Sequence, residues 1–367
     1  MIPTTRSRMT RRAVLAGGVA TLALFALPRR LLAAFAPAPG AWRSYRVTTR
    51  VKVPRDGAPV TVWVPVPAVD AEGWMRPGET TFETGSDEAA LEEADGTRFV
   101  RAHWPAGEGT ATLTVVSTVA ARDRATAFDA ALSVPPLSAE ERAHWTAPTD
   151  LIPTDGIVAE TAEGIVAGIE GDEARARAIY DWVVESTERN PETRGCGLGD
   201  IASMLAMGDL TGKCADLNAL YVGLARAAGL PARDVYGLRV APSEFGYRSL
   251  GAGSSDVTKA QHCRAEVWLD GTGWVPADPA DVRKVVLEET EGELPLTDPR
   301  VADVRDGLFG AWEGNWIAWN FAHDVSLPRS DSGPVPFLMY PMAEVGGRLK
   351  DELDPANFAY TITAEEI

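Results

Sequence analysis

Cys214, His262 and Asp278 have the types and the chain order for thiol chemistry. A cysteine attacks as its thiolate, and a free thiol, with a pKa of about 8.5, is mostly protonated at neutral pH. An open helix N-terminus lowers that value through unpaired N–H groups and the helix dipole. Cys214 follows Thr211-Gly212-Lys213 and opens a stretch in which Leu217, Leu220, Tyr221, Leu224 and Ala228 recur at three- and four-residue spacing. That periodicity predicts a helix starting at Cys214 or Ala215 and ended by Gly229 and Pro231. An imidazolium beside the sulfur would complete the activation.

Of the four histidines, His103 falls among strand-like segments, His144 in a connection and His323 in a tryptophan-rich run near the C-terminus. His262 opens a strand directly after a loop rich in Gly and Ser, residues 251–255, and is the favoured partner. A carboxylate on the next strand can hold the ring in the required tautomer. Asp278 ends that strand, with Asp281 as the second choice. A tight turn at Gly271-Thr272 would pair Asp278 with Ala265 instead of His262, so a bulge at Pro276 is expected to close the gap.

The remaining chemistry-bearing residues point elsewhere. Cys263 alternates with Ala265, Val267 and Leu269 and reads as a buried strand residue. Cys196, in Arg194-Gly195-Cys196-Gly197, could line a cleft, pair with another cysteine or pack. No C-x-x-C pair or EF-hand spacing is present, and adjacent His262 and Cys263 should point to opposite faces of a strand, so neither a metal nor a cofactor is expected. Trp312, Trp316 and Trp319, spaced by four and three, read as the buried side of a helix. Glu266 shares a strand face with His262 and is expected as a structural partner in the cleft, and Arg226 and Arg233 as structural contacts.

Elements able to position these residues follow from pattern. Helices are predicted over about 172–187 and 201–207, and strands over 234–240, 262–269 and 274–277, with Asp270-Gly271-Thr272-Gly273 as a hairpin signal. A helix feeding an antiparallel sheet is an α+β core. Upstream, residues 45–53, 60–66, 99–104 and 110–116 alternate like strands of a small β-sandwich, while the acidic run from Asp87 to Asp95 reads as a loop. The expected organisation is a leader over 1–36, a sandwich over 37–125, a core over 126–285 and an extension over 286–367 that packs on the core.

Three blocks carry a resemblance. Gly212-Lys213-Cys214-Ala215-Asp216 with Leu224 to Arg233 resembles the cysteine block of the bacterial transglutaminase-like superfamily. His262 to Gly271 resembles its histidine block, and Gly273-Trp274-Val275-Pro276-Ala277-Asp278-Pro279 its aspartate block. The resemblance implies a papain-like α+β core and a Cys214–His262–Asp278 triad for acyl transfer. Cys214 would attack a carboxamide or peptide carbonyl, His262 would protonate the departing amine, and water or a second amine would release the acyl group. Protease, amidase and cross-linker all remain open. Cys263 departs from the family, where Ala is more usual at that position. From the opposite class, a catalytically silent scaffold binding peptides or cell-wall material would share the fold.

Composition sets the surroundings. The 367 residues carry a net charge of −17, and setting aside the six arginines of the first 36 leaves the rest at −23. An acidic body repels phosphate backbones, which argues against nucleic acid as a partner. Three cysteines are no disulfide framework. Thr10-Arg11-Arg12-Ala13-Val14-Leu15 looks like a twin-arginine export signal, followed by apolar residues from Ala13 to Leu27 and small ones at Ala33, Ala34 and Ala36. The apolar run falls short of the roughly 20 residues that span a bilayer, so the expected mature chain has no stable membrane span. Its expected place is the periplasm or outside the cell, with protein, peptide or cell-wall peptide as substrate. Nothing in the sequence sets an oligomeric state.

Overall fold

In Arg43–Pro54 every second residue turns inward, so that Tyr45, Val47, Val51 and Val53 are buried between more exposed neighbours. That period-two pattern is what a sheet with one covered face requires. The strand belongs to a computed structural model that describes Met1, residues 34–128 and residues 134–367. The twin-arginine signal and the apolar run after it lie outside the described residues. Phe35, placed in the leader by sequence, is buried in the folded body, edge-on to Phe245 and Tyr247 at 5.3 and 5.7 Å.

Two antiparallel sheets form the sandwich. One has the order Ala359–Glu366, Arg43–Pro54, Thr110–Ala121, Met75–Thr84. The other has the order Arg348–Leu349, Met342–Val345, Val60–Pro65, Thr97–Trp104, Glu88–Ala94. Glu88–Ala94, expected as a loop, is therefore an edge strand. Its acidic side chains are tolerated because an edge is solvated, and charge there deters further pairing. It returns to Thr97–Trp104 through Asp95 and Gly96, whose φ values of +48° and +72° suit a two-residue hairpin turn.

The extension after residue 285 does not simply pack on the core. Pro299–Gly307 is a helix touching the helix Pro279–Glu288, whereas the strands from Met342 onward complete the sandwich. Tyr45 and Met75 of the sandwich share one buried cluster with Trp316 of the core.

The core sheet runs Gly273–Ala277, Gln261–Leu269, Ala232–Arg239, Trp316–Asn320, all antiparallel. Against it lies the helix Cys214–Ala227, buried from Cys214 through Arg226. Gly229, with φ +82°, lets the chain leave that helix before Pro231. Trp312, Trp316 and Trp319 are buried as expected, but on short strands and not on a helix. The spacing of four and three was read with the wrong period, because a turn at Glu313 to Asn315 separates the first tryptophan from the others. Gly237 admits this strand: a Cβ there would lie 2.2 Å from the Ile317 carbonyl oxygen and 2.3 Å from the Trp316 ring.

Glu266 lies outside the lining of the cleft expected for it. Its buried carboxylate takes Arg233 at 2.6 Å and Arg124, clamping the core sheet to the connection that precedes it. Arg233 is in turn stacked on Trp274 and Phe321, 3.9 and 3.7 Å from their ring centres. Arg226 donates to the carbonyls of Ala232 and Ala147, the structural role expected of it. Removing one member of a buried ion network strands the others, at a cost of about 3–5 kcal/mol. Glu266→Ala is expected to lower stability by about that amount, measured as a shift in the denaturant midpoint. A shift under about 1 kcal/mol would mean that water reaches both guanidiniums.

Candidate active site

Cys214 is the first residue of its helix, so its side chain sits where the helix N–H groups have no intrahelical partner. The sequence holds this end in place through Asp216, two residues on. One carboxylate oxygen accepts from the N–H groups of Leu198 and Gly199, both at 3.0 Å, and the other from the N–H of Lys213 at 3.0 Å. The N–H of Ala215 donates to the Cys196 carbonyl at 2.8 Å. The glycine-rich loop is thus tied to the helix start. Gly197 permits the approach: its φ is +94°, and a Cβ would lie 1.8 Å from Asp216 Oδ2.

His262 is the second residue of the strand Gln261–Leu269 and is 3% exposed. Its Nε2 bonds Asp278 Oδ2 at 2.7 Å, and Asp281 Oδ2 lies 3.4 Å away. With Nε2 so engaged, Nδ1 is the ring nitrogen left for the Cys214 sulfur, which lines the same cavity as the ring. The bulge expected at Pro276 is absent. The ladder runs in register to Ala265 opposite Ala277 and Glu266 opposite Pro276. Asp278 reaches the ring because it leaves the strand as N-cap of Pro279–Glu288. Its Oδ1 accepts from the N–H of Asp281 at 3.0 Å and from Asn218 Nδ2 at 3.3 Å.

Charges alternate through this buried group. Arg239 pairs with Asp281 at 2.5 Å, and Arg264 Nε lies 3.5 Å from Asp278 Oδ2. His262, Asp278 and Asp281 place a ring nitrogen and two carboxylate oxygens within 4.8 Å of one another, the kind of donor set that can bind a cation. Here two guanidiniums already supply the positive charge, so the set reads as an ion network and not as a metal centre.

The neighbouring thiols of Cys196 and then Cys263, and after them the charge of His262, hold the Cys214 thiol well below its usual value, against burial. Burial and Arg239 push His262 down, but Asp281, Asp278 and the thiolate outweigh them and raise the imidazole to about 9. Both shifts favour a thiolate–imidazolium pair. Cys263, the next residue along the strand, turns its sulfur to Met339 Sδ at 3.9 Å, and burial first, then the neighbouring thiols, push its own thiol up.

The three thiols are free and buried. Cys214, although only 4% exposed, lines a cavity of about 660 Å³ together with Cys196 and His262. Sequence reasoning did not find Asn218, Arg239, Arg264 or Gln261. Gln261 borders the same cavity, and its buried amide nitrogen has no hydrogen-bond partner among the described residues. Its place directly before His262 was the one available signal.

Residues 159–279 match the transglutaminase-like superfamily. A protein of Haemophilus influenzae described as uncharacterized is 40% identical over 228 residues, 60% of this chain and 61% of that one, so the match spans about three fifths of the relative's length. The crystal structure of a proposed cysteine protease from Cytophaga hutchinsonii shares the fold, with a TM-score of 0.50 at 17% identity, covering 89% of this chain and 99% of the other. The periplasmic domain of TgpA from Pseudomonas aeruginosa matches at 16% identity and a TM-score of 0.33 over 72% of this chain and 93% of that domain, too loosely to add to the comparison.

A thiolate held by an imidazolium reacts at pH values where a free thiol is silent. Iodoacetamide is expected to alkylate Cys214 at pH 6 at least about tenfold faster than a free thiol, and His262→Ala to remove most of that advantage. Mass spectrometry of the modified peptide reads both rates. Equal rates for Cys214 and a free thiol would show that the sulfur is not ionised.

Proposed function

We propose that this chain, whose residues 159–279 match the transglutaminase-like superfamily, cleaves or transfers amide bonds through Cys214, His262 and Asp278. The observation that supports this best is one cavity lined by both Cys214 and His262, with the His262 ring hydrogen-bonded behind it to Asp278. In this reading the Cys214 sulfur adds to an amide carbonyl. The backbone N–H of Cys214, at the helix start, faces the oxygen that gains charge. Gln261, with its unpartnered amide, offers a further donor to a bound carbonyl. The C–N bond then breaks, and the amine leaves with the proton of His262, giving a thioester on Cys214. Water or a second amine attacks the thioester, His262 accepts the attacking group's proton, and the acyl product leaves as Cys214 regains its thiolate.

Asp278 positions the ring and stabilises its charge; Asp281 stands further off and is committed to Arg239. The twin-arginine leader read from the sequence supports action outside the cytoplasm, with peptides, proteins or cell-wall peptide as substrates.

Turnover is assayed as amide hydrolysis and as amine incorporation side by side. Asp278→Asn should lower kcat/KM by about 10²-fold or more, and Asp281→Asn by clearly less. Cys214→Ser should abolish both activities; activity surviving it would overturn the thiol mechanism. His262 with a value of about 9 keeps its proton below that pH and loses it above. The rate should therefore decline as pH rises through about 9, because the proton given to the leaving amine is gone.

A further inference from the structure

The chain has 30 arginines and only five lysines, yet three of those five, Lys213, Lys259 and Lys284, line the cavity that holds Cys214 and His262. This concentration stands out in a protein of net charge −17. The arginines at the same wall are engaged: Arg189 with Glu288, Arg194 with Asp351, and Arg239 with Asp281. Of the three lysines, only Lys284 is in an ion pair among the described residues, at 3.9 Å from Glu288. Two acids also border the cavity and count against the cations. Asp256 is turned onto Thr258, accepting from its N–H at 3.0 Å and its hydroxyl at 2.6 Å. Burial pushes the Glu352 carboxyl up.

We infer that the cavity recognises an amide substrate bearing a carboxylate close to the bond that Cys214 attacks, with Lys213, Lys259 and Lys284 as its counter-charges. The inference rests on the amide-cleaving reading above and names the class of substrate within it. An ammonium on a flexible stem is a compact point charge that can follow a carboxylate at several positions, unlike the fixed fork of arginine. An acidic body repels such a substrate over most of its surface, so the local reversal of sign both guides and selects. Burial, with help from Arg239, pushes the Lys284 ammonium down to about 8, and a bound carboxylate would restore it.

The test uses two alkylating reagents of similar size, iodoacetate with a negative charge and iodoacetamide without one, on the folded full chain. Both attack the same sulfur, so the ratio of their rates cancels any change in the thiolate fraction and reports only the charge of the cavity. Lys259→Gln with Lys284→Gln is expected to lower the iodoacetate-to-iodoacetamide ratio by at least about fivefold, and 1 M salt to lower it in the unaltered protein. Iodoacetamide labelling still confined to Cys214, with the buried Cys196 and Cys263 protected, shows that the variant is folded. Lys213→Gln alone is the second variant if the pair does not fold. A ratio indifferent to lysine removal and to salt overturns the inference. Peptide amides differing only by Glu or Gln beside the scissile bond give the second readout. A preference for Glu that vanishes in the lysine variants supports it. If no amide is cleaved but the ratio responds, the turnover reading fails while the charge reading stands.

Discussion

The structure depends on keeping several charges in a place where water cannot stabilise them. Isolated burial of any one would be prohibitive, and each would instead neutralise. The site avoids this by alternation: thiolate against imidazolium, and the carboxylates of Asp278 and Asp281 against the guanidiniums of Arg264 and Arg239. In their ionised forms these six groups balance. Such a network is weak as a source of stability, since its desolvation cost offsets most of its attraction. What it supplies is position. Asp281 cannot drift toward the ring without loosening Arg239, and Asp278 cannot turn without losing its cap of the helix Pro279–Glu288.

Holding that network demands a rigid frame on every side. The cysteine helix is buried almost all round and carries few surface options, so its register is fixed by packing. Asp216 then fixes the loop at Cys196 to its start, and Asn218, one turn in, bonds both the Cys263 carbonyl and Asp278. Helix, histidine strand and aspartate cap are therefore tied directly to one another. The sandwich contributes from below through Trp74, which packs edge-on to Trp312 at 5.5 Å and beside Trp316, the residue whose indole N–H donates to the His262 carbonyl.

How much of this was legible in the sequence depended on the range of the signal. The cysteine helix was readable because its start, its stop at Gly229 and Pro231 and its period are local. The histidine and aspartate strands were readable because one hairpin joins them. Glu88–Ala94 was not, since an edge strand can carry polar residues that look like a loop. The arginines at the site were hidden among 30, and nothing nearby in sequence separates Arg239 or Arg264 from those on the surface. Strand register alone does not give the route from Asp278 to His262. A residue that leaves its strand to cap a helix turns its side chain out of the ladder, and that decided the distance.

A last consequence concerns the choice among thiols. Cys196, Cys214 and Cys263 shift one another's ionisation, so a single proton arrangement must assign one anion among them. Only Cys214 combines a helix N-terminus with an imidazole that can take up a proton. For the other two, the neighbouring thiolate and burial push ionisation upward, and Tyr340 beside Cys196 is held neutral for the same reasons. These groups are then kept in the form that donates. A neutral S–H or O–H near the Cys214 thiolate adds no second charge to the pocket, which a lysine in the same place would do. Both thiols spend their protons on other acceptors, Cys196 on the Gln261 carbonyl at 3.4 Å and Cys263 on Met339 Sδ at 3.9 Å, so the imidazolium is left as the group that balances the thiolate.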